Sequence, residues 1–178
     1  MKSSFFILVI ISFIRGIGLD GLAIPNNGYD LSMAGTGIAG GVSPNINPAL
    51  KISKESYFQF SLNKWLGDIK GSLTSYHWGA EIPQSISIQS WKAEDLEQRE
   101  GATDIPLGTF SVHNISAAYT VSHHFNSPLR LGMKINANYS HLYIESIRSI
   151  SFDIGVIYSI GSIFNSGLVV RNIGYVKS

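Results

Sequence analysis

The sequence predicts an all-β protein: an antiparallel meander forming about half of a transmembrane β-barrel, preceded by an irregular, plug-like N-terminal segment. Three observations point there. The chain of 178 residues is poor in charge, at 14%, without being unusually apolar, at 44%. An ordinary soluble domain carries about 25% charged residues, whereas polar interior positions dilute the apolar ones in a membrane barrel. Most of the chain beyond residue 55 alternates apolar and polar residues with period two, the signature of strands with two different faces. A short apolar run at the N-terminus has the form of an export signal.

That run comes first in order. Lys2 and two serines lead into Phe5 to Ile14, about ten apolar residues, and Arg15 ends it. A spanning helix needs about 20 apolar residues, so the run reads as a signal peptide over residues 1–23. Small residues stand at −3 and −1 before two candidate cleavage points, after Gly18 and after Ala23, and cleavage after Ala23 is expected. Losing Lys2, Arg15 and Asp20 brings the formal charge from +1 to zero.

Residues 24–54 are rich in Gly, Asn and Pro and hold neither period, so they are expected to be irregular and compact. Asn47-Pro48-Ala49 has its own logic. A residue before proline is pushed out of the helical region and proline fixes the next φ, which makes a rigid corner. That corner is either a simple turn before the first strand or an anchor inside a barrel.

Seven strands are expected over residues 55–178. The first covers 57–62 and the second 68–80, with Tyr76 and Trp78 on one face. The third, 84–91, alternates Ile86 and Ile88 with serines and Gln89. The fourth, 108–121, changes parity between Val112 and Ile115, which predicts a β-bulge near His113-Asn114. The fifth, 129–143, places Leu131, Met133, Ile135 and Tyr139 opposite Arg130, Lys134, Asn136 and Asn138. Fifteen residues at about 3.4 Å each reach roughly 50 Å, which suits a tilted spanning strand that projects past the bilayer. The sixth, 149–160, sets Phe152, Ile154 and Tyr158 against Asp153, and the seventh begins near Gly167. Hairpin-sized connections join all but one pair, so the strands are antiparallel neighbours. The exception, 92–107, holds Lys92, Glu94, Asp95, Glu97, Arg99 and Glu100 and is expected to be a solvated loop. No helix is expected.

The two faces carry the functional reading. In a soluble cup the apolar face would point inward; in a membrane barrel it meets lipid and the polar face lines the lumen. Alternation alone does not separate them. The export signal, the strand length, the low charge and aromatic strand ends together favour the membrane. Arg130, Lys134, Asn136, Asn138 and Asp153 are then the expected lumen-facing residues, with a cross-strand ion pair to Asp153. Seven strands do not close an even-stranded barrel, and the chain is expected to be truncated at its C-terminal side.

Composition excludes other classes. With no basic run, the footprint of a nucleic-acid binder is missing. Zero cysteines remove disulfides, thiolate zinc sites and thiol nucleophiles. His123-His124, placed in a turn, has no acidic neighbour in sequence to complete a metal site. No nucleophile–base set is nominated, so neither an enzyme nor a cofactor is expected.

An ordered series of motifs resembles a known family. Leu31-Ser32-Met33-Ala34-Gly35-Thr36-Gly37-Ile38-Ala39 followed by Asn47-Pro48-Ala49-Leu50 is similar to the N-terminal signature of the PorV/PorQ family. Trp65 to Lys70, Gly108-Thr109-Phe110-Ser111, Leu129-Arg130-Leu131-Gly132, Tyr139 to Tyr143, Phe152 to Tyr158 and Arg171-Asn172-Ile173-Gly174 follow in the family's order. Two positions depart from it: Tyr29-Asp30 stand where an Arg is common, and Thr36 replaces a glycine. The resemblance implies an outer-membrane barrel of the type IX secretion system in a Gram-negative-type bacterium, distantly similar to FadL fatty-acid transporters. It implies that Gly35, Gly37, Asn47, Pro48 and Ala49 build a plug. It also implies secreted cargo and other type IX components as partners in an outer-membrane lipid setting. The charged segment Lys92 to Ile105 is then the expected partner contact. A FadL-like porter for hydrophobic molecules is the alternative, and a soluble exported binding module a third reading.

Overall fold

The computed structural model describes residues 27–41, 43–50, 55–65, 68–79, 81–101, 105–125, 128–161 and 163–177. The expected signal peptide, residues 1–23, and the expected boundary at residue 54 lie outside the described residues. A short helix, α1 (Gly28–Ser32), precedes seven strands: β1 (Tyr57–Lys64), β2 (Lys70–Trp78), β3 (Gln84–Gln98), β4 (Gly108–His124), β5 (Leu129–Leu142), β6 (Glu145–Ile160) and β7 (Phe164–Lys177). The strands form one sheet in sequence order, each antiparallel to the next. The sheet is not closed, and β1 and β7 are its edges.

The expected all-β antiparallel meander is therefore what the chain forms. Most strand ends fall within a few residues of those expected. Among the described residues no helix is long and apolar enough to cross a membrane, a statement that does not bear on strands.

The two faces of the sheet differ in an unusual sense. One face carries the N-terminal segment and is called inner here. On β5 the inner residues Lys134, Asn136 and Asn138 are buried, while Met133 and Ile135 on the outer face are about half exposed. β6 repeats this, with Ser149, Ser151 and Asp153 buried and Ile150, Phe152 and Ile154 exposed. Polar groups inside and apolar groups outside reverse the ordinary arrangement of a water-soluble sheet.

Four expectations are corrected. First, α1 exists. Asn27 caps it, its side chain accepting from the Asp30 N–H at 2.8 Å, and five residues are too few to show a period. Second, the charged run at Lys92, Glu94, Asp95 and Glu97 is not loop but the end of β3; only Arg99 and Glu100 fall in the connection. Leu96 pairs with Phe110, and that apolar pair holds the hairpin beyond the length of its neighbours. Third, the register is continuous through His113 and Asn114 on both sides. The bulge lies across the hairpin on β3, between Ala93 and Leu96, where Asp95 takes a left-handed φ of 55°. The parity change in β4 is one of environment, because the inner face turns apolar toward the hairpin tip, where Phe110 meets Tyr143 edge-on. Fourth, His123 and His124 are not in a turn; they end β4 and point to opposite faces.

Candidate functional site

The N-terminal segment lies against the inner face of β5–β7, and the residues of its corner explain how. Pro48 holds Asn47 out of the helical region. The Asn47 side chain closes the corner from within: Oδ1 accepts from the Ala49 N–H at 2.9 Å, and Nδ2 donates to the Ile38 carbonyl at 2.8 Å. The Leu50 N–H returns to the Asn47 carbonyl at 3.0 Å. Asn47 is fully buried, and each of its polar atoms has a use.

The sheet has a matching notch. Gly132 on β5 and Gly155 on β6 are direct cross-strand partners on the inner face. A β-carbon on Gly132 would collide with the backbone carbonyl of Pro48, and one on Gly155 with Asn47 Oδ1. A third glycine, Gly167 on β7, lies against Ile38 and Ala39, where a β-carbon would come within 2.8 Å of the Ile38 oxygen. Two adjacent inner positions without side chains thus admit the corner to backbone distance. Ile46, Ala49 and Leu50 then close over Ile157 of β6 as a small buried apolar cluster. Full burial of side chains such as Leu50 and Ile46 contributes about 2 kcal/mol each.

Polar contacts flank the notch. Lys134 and Asp153 are cross-strand partners, with Nζ and Oδ2 4.0 Å apart and both side chains buried. Lys134 also donates to Asn45 Oδ1 of the N-terminal segment at 3.2 Å. Asn136 donates to Asp153 Oδ2 at 3.2 Å, and the Asn172 backbone N–H donates to Asp153 Oδ1 at 2.7 Å. This last bond exists because β7 carries a bulge at Arg171–Asn172, where Asn172 takes a left-handed φ of 59°. Buried charges persist only when paired and hydrogen-bonded, and Asp153 meets both conditions. Asp30 of α1 and Arg171 of β7 add one further charge of each sign within electrostatic reach of Lys134.

The five residues expected to face a lumen, Arg130, Lys134, Asn136, Asn138 and Asp153, all lie on the face of the open sheet that carries the N-terminal segment. Lys134, Asn136, Asn138 and Asp153 are buried; Arg130 is half-buried at one end of the row, opposite Ile157 rather than Asp153. Asn138 donates to Ser149 Oγ at 3.1 Å. Of the five expected N-terminal positions, Asn47, Pro48 and Ala49 meet the sheet. Gly35 and Gly37 have other work, turning the chain after α1 with φ of 70° and 105°. Gly132, Gly155 and Gly167 were not singled out in the sequence. For Gly132 and Gly155 the signal is a glycine at a polar-face position of a long alternation; Gly167, near the start of β7 and opposite Ile157, carries no such signal.

The charged end of β3 is a separate cluster. Lys92 and Lys70 both pair with Glu94, Lys70 at 3.2 Å, and Arg99 pairs with Glu97 at 2.6 Å. Glu94 is held below the ordinary glutamate range, first by its hydrogen bond to Lys92 and then by that to Lys70. Among the described residues no group of three His, Asp or Glu is placed to hold a metal ion. Comparison with protein-family models, with curated proteins and with solved structures finds no match for the chain.

Proposed function

We propose that this chain forms part of the wall and the plug of an outer-membrane β-barrel that serves protein secretion, similar to the PorV/PorQ components of the type IX system. The observation that carries the membrane part is the inverted burial. Over eleven-residue spans, Leu129 to Tyr139 and Ile150 to Ile160, β5 and β6 carry apolar side chains at every outer position, exposed at all but Leu129 and Val156, while burying Lys, Asn, Ser and Asp on the inner face. Eleven residues of a tilted strand rise about 25 Å, the height of the lipid-facing band of outer-membrane barrels. In water such a surface would be an aggregation hazard; in hydrocarbon it is the solvated one. Lipid leaves no room for an open sheet edge, so β1 and β7 must find strand partners there.

The secretion role rests on the family resemblance, and the seated N-terminal corner supports it. A segment docked by its Asn47-Pro48 corner across β5 and β6 fits a fixed plug better than a wide aqueous pore. The exposed hairpin tip, with Lys92, Glu94, Asp95, Glu97 and Arg99, offers a charged surface for cargo or partner components. The polar inner face speaks against a FadL-like porter, since the inward residues of β5 and β6 offer a hydrophobic cargo little apolar surface. No catalytic role is assigned.

Two experiments test this. Heat-modifiable electrophoretic migration after extraction from outer membranes is expected; recovery of the protein free in the periplasm would overturn the barrel. Deletion of the gene is expected to block export of type IX cargo. Normal export with lost uptake of a long-chain lipid would favour the porter.

A further inference from the structure

The outer face has one feature that the barrel wall alone does not require. Two cross-strand rows cross β4 to β7 near the end of the sheet from which the hairpin projects. One runs Ala117, Ala137, Ile150, Tyr175 and the next runs Ile115, Tyr139, Arg148, Lys177. The two alanines lie side by side among taller neighbours, Ile115, Tyr139, Ile150 and Tyr175. They floor an open groove of about 530 Å³ whose walls are almost wholly apolar. Arg148 and Lys177, direct register partners, stand at its rim.

The charge state of this rim is distinctive. A neighbouring row on the same face holds Lys64, Lys70 and Lys92, and each has an acidic partner: Asp68 for Lys64 and Glu94 for the other two. Arg148 and Lys177 have no carboxylate within ion-pair distance among the described residues. Two exposed cations with no ion-paired carboxylate among the described residues, at the mouth of a hydrocarbon-lined slot, are complementary to one kind of molecule. It has an acyl chain to fill the slot and a phosphate to meet the cations. A bidentate guanidinium suits phosphate oxygens, and a nearby ammonium adds a second positive charge.

We propose that this groove is a specific binding site for an anionic, phosphate-bearing lipid. Its acyl chain lies over Ala117 and Ala137, and its headgroup is held by Arg148 and Lys177. The proposal rests on the membrane reading above and adds a lipid class and a place to it. The lipid seals a shallow seam that neighbouring outer residues leave unfilled, and it anchors the barrel's depth at that edge.

The test uses full-length protein extracted from its native membrane and exchanged into nanodiscs of phosphatidylcholine with phosphatidylglycerol. Native mass spectrometry reads the retained lipid. Wild type is expected to retain phosphatidylglycerol over phosphatidylcholine, and each cation removed in Arg148→Gln and Lys177→Gln to lower that preference about fivefold. Ala137→Phe, which fills the groove and leaves both cations, is expected to lower retention of either lipid. Millimolar inorganic phosphate is expected to leave retention unchanged. Equal preference in wild type and in the double variant would overturn the site, as would displacement by inorganic phosphate or a protein chain found seated there instead. Membrane insertion of the same variants is read separately by heat-modifiable migration. A protein that never enters the bilayer overturns the barrel reading, whereas an inserted barrel without lipid preference overturns the site alone.

Discussion

Asn47 Oδ1 occupies the space that a β-carbon on Gly155 would fill. The contact joins the N-terminal segment to β6 at a point where neither partner tolerates growth. Gly155→Val is therefore expected to lift the Asn47-Pro48 corner from the sheet while leaving the strand ladder intact. Overpacking of this kind costs about 1–3 kcal/mol. The measurement is amide hydrogen exchange at Ala49 and Leu50. Protection equal to wild type in the variant would show that the glycine notch does not hold the segment.

Lys134 and Asp153 make a buried pair, and buried pairs are fragile in one direction. Lys134→Met leaves Asp153 as an uncompensated charge and is expected to cost about 3–5 kcal/mol, with Asp153→Asn comparable. The double variant is expected to recover much of that loss. Denaturant unfolding in a double-mutant cycle reads the coupling. Strictly additive losses would mean the two groups act independently in spite of their 4.0 Å separation.

The outer face offers a substitution whose sign depends on its surroundings. Ile154→Lys places an ammonium in the middle of the exposed apolar run of β6. In a bilayer this is expected to cost about 2–4 kcal/mol of insertion free energy. On a water-exposed surface the same change is within about 0.5 kcal/mol of neutral and improves solubility. Urea titration of protein folded into vesicles separates the two, and a neutral result would remove the membrane from the outer face.

Acid is expected to loosen the hairpin tip before the sheet. The carboxylate of Glu94 is held below the ordinary value of 4.5 by Lys92 and Lys70, so the folded tip favours the ionised form. That contribution is fully present above about pH 4.5 and is lost as the pH falls through the lower, folded-state value. Protection factors of tip amides, each referred to the intrinsic exchange rate at that pH and followed downward from pH 6, are expected to fall below that point, and Glu94→Gln to abolish the dependence. The pair is exposed, so the effect is local and falls with added salt.

Much of this architecture was readable from alternation. Leu129 to Tyr139 shows period two without interruption and Ile150 to Ile160 breaks it only at Ile157, and the same alternation sets Lys134 and Asp153 on one face. Their register partnership needed only the short turn at Tyr143–Ile144. The extension of β3 was hidden because its bulge shifts parity at Glu94–Asp95, and a strand that changes face mid-run reads as loop. In β4 the converse holds: the backbone is regular and the environment changes, so in the sequence Phe110 and Val112 read as a slip. The glycine notch was hidden for another reason. Gly132 and Gly155 matter through what another segment puts in their place, and no local pattern carries that.

The seat for Asn47 is made of β5 and β6, which follow it far along the chain. All the strand pairings join sequence neighbours and close quickly once each hairpin exists, but this contact waits for both strands to form. The segment made first is thus the last to be placed. Until then the apolar side chains of Ile46, Ala49 and Leu50 lack the cover that Ile157 gives them in the folded chain, the kind of transient apolar exposure that favours aggregation.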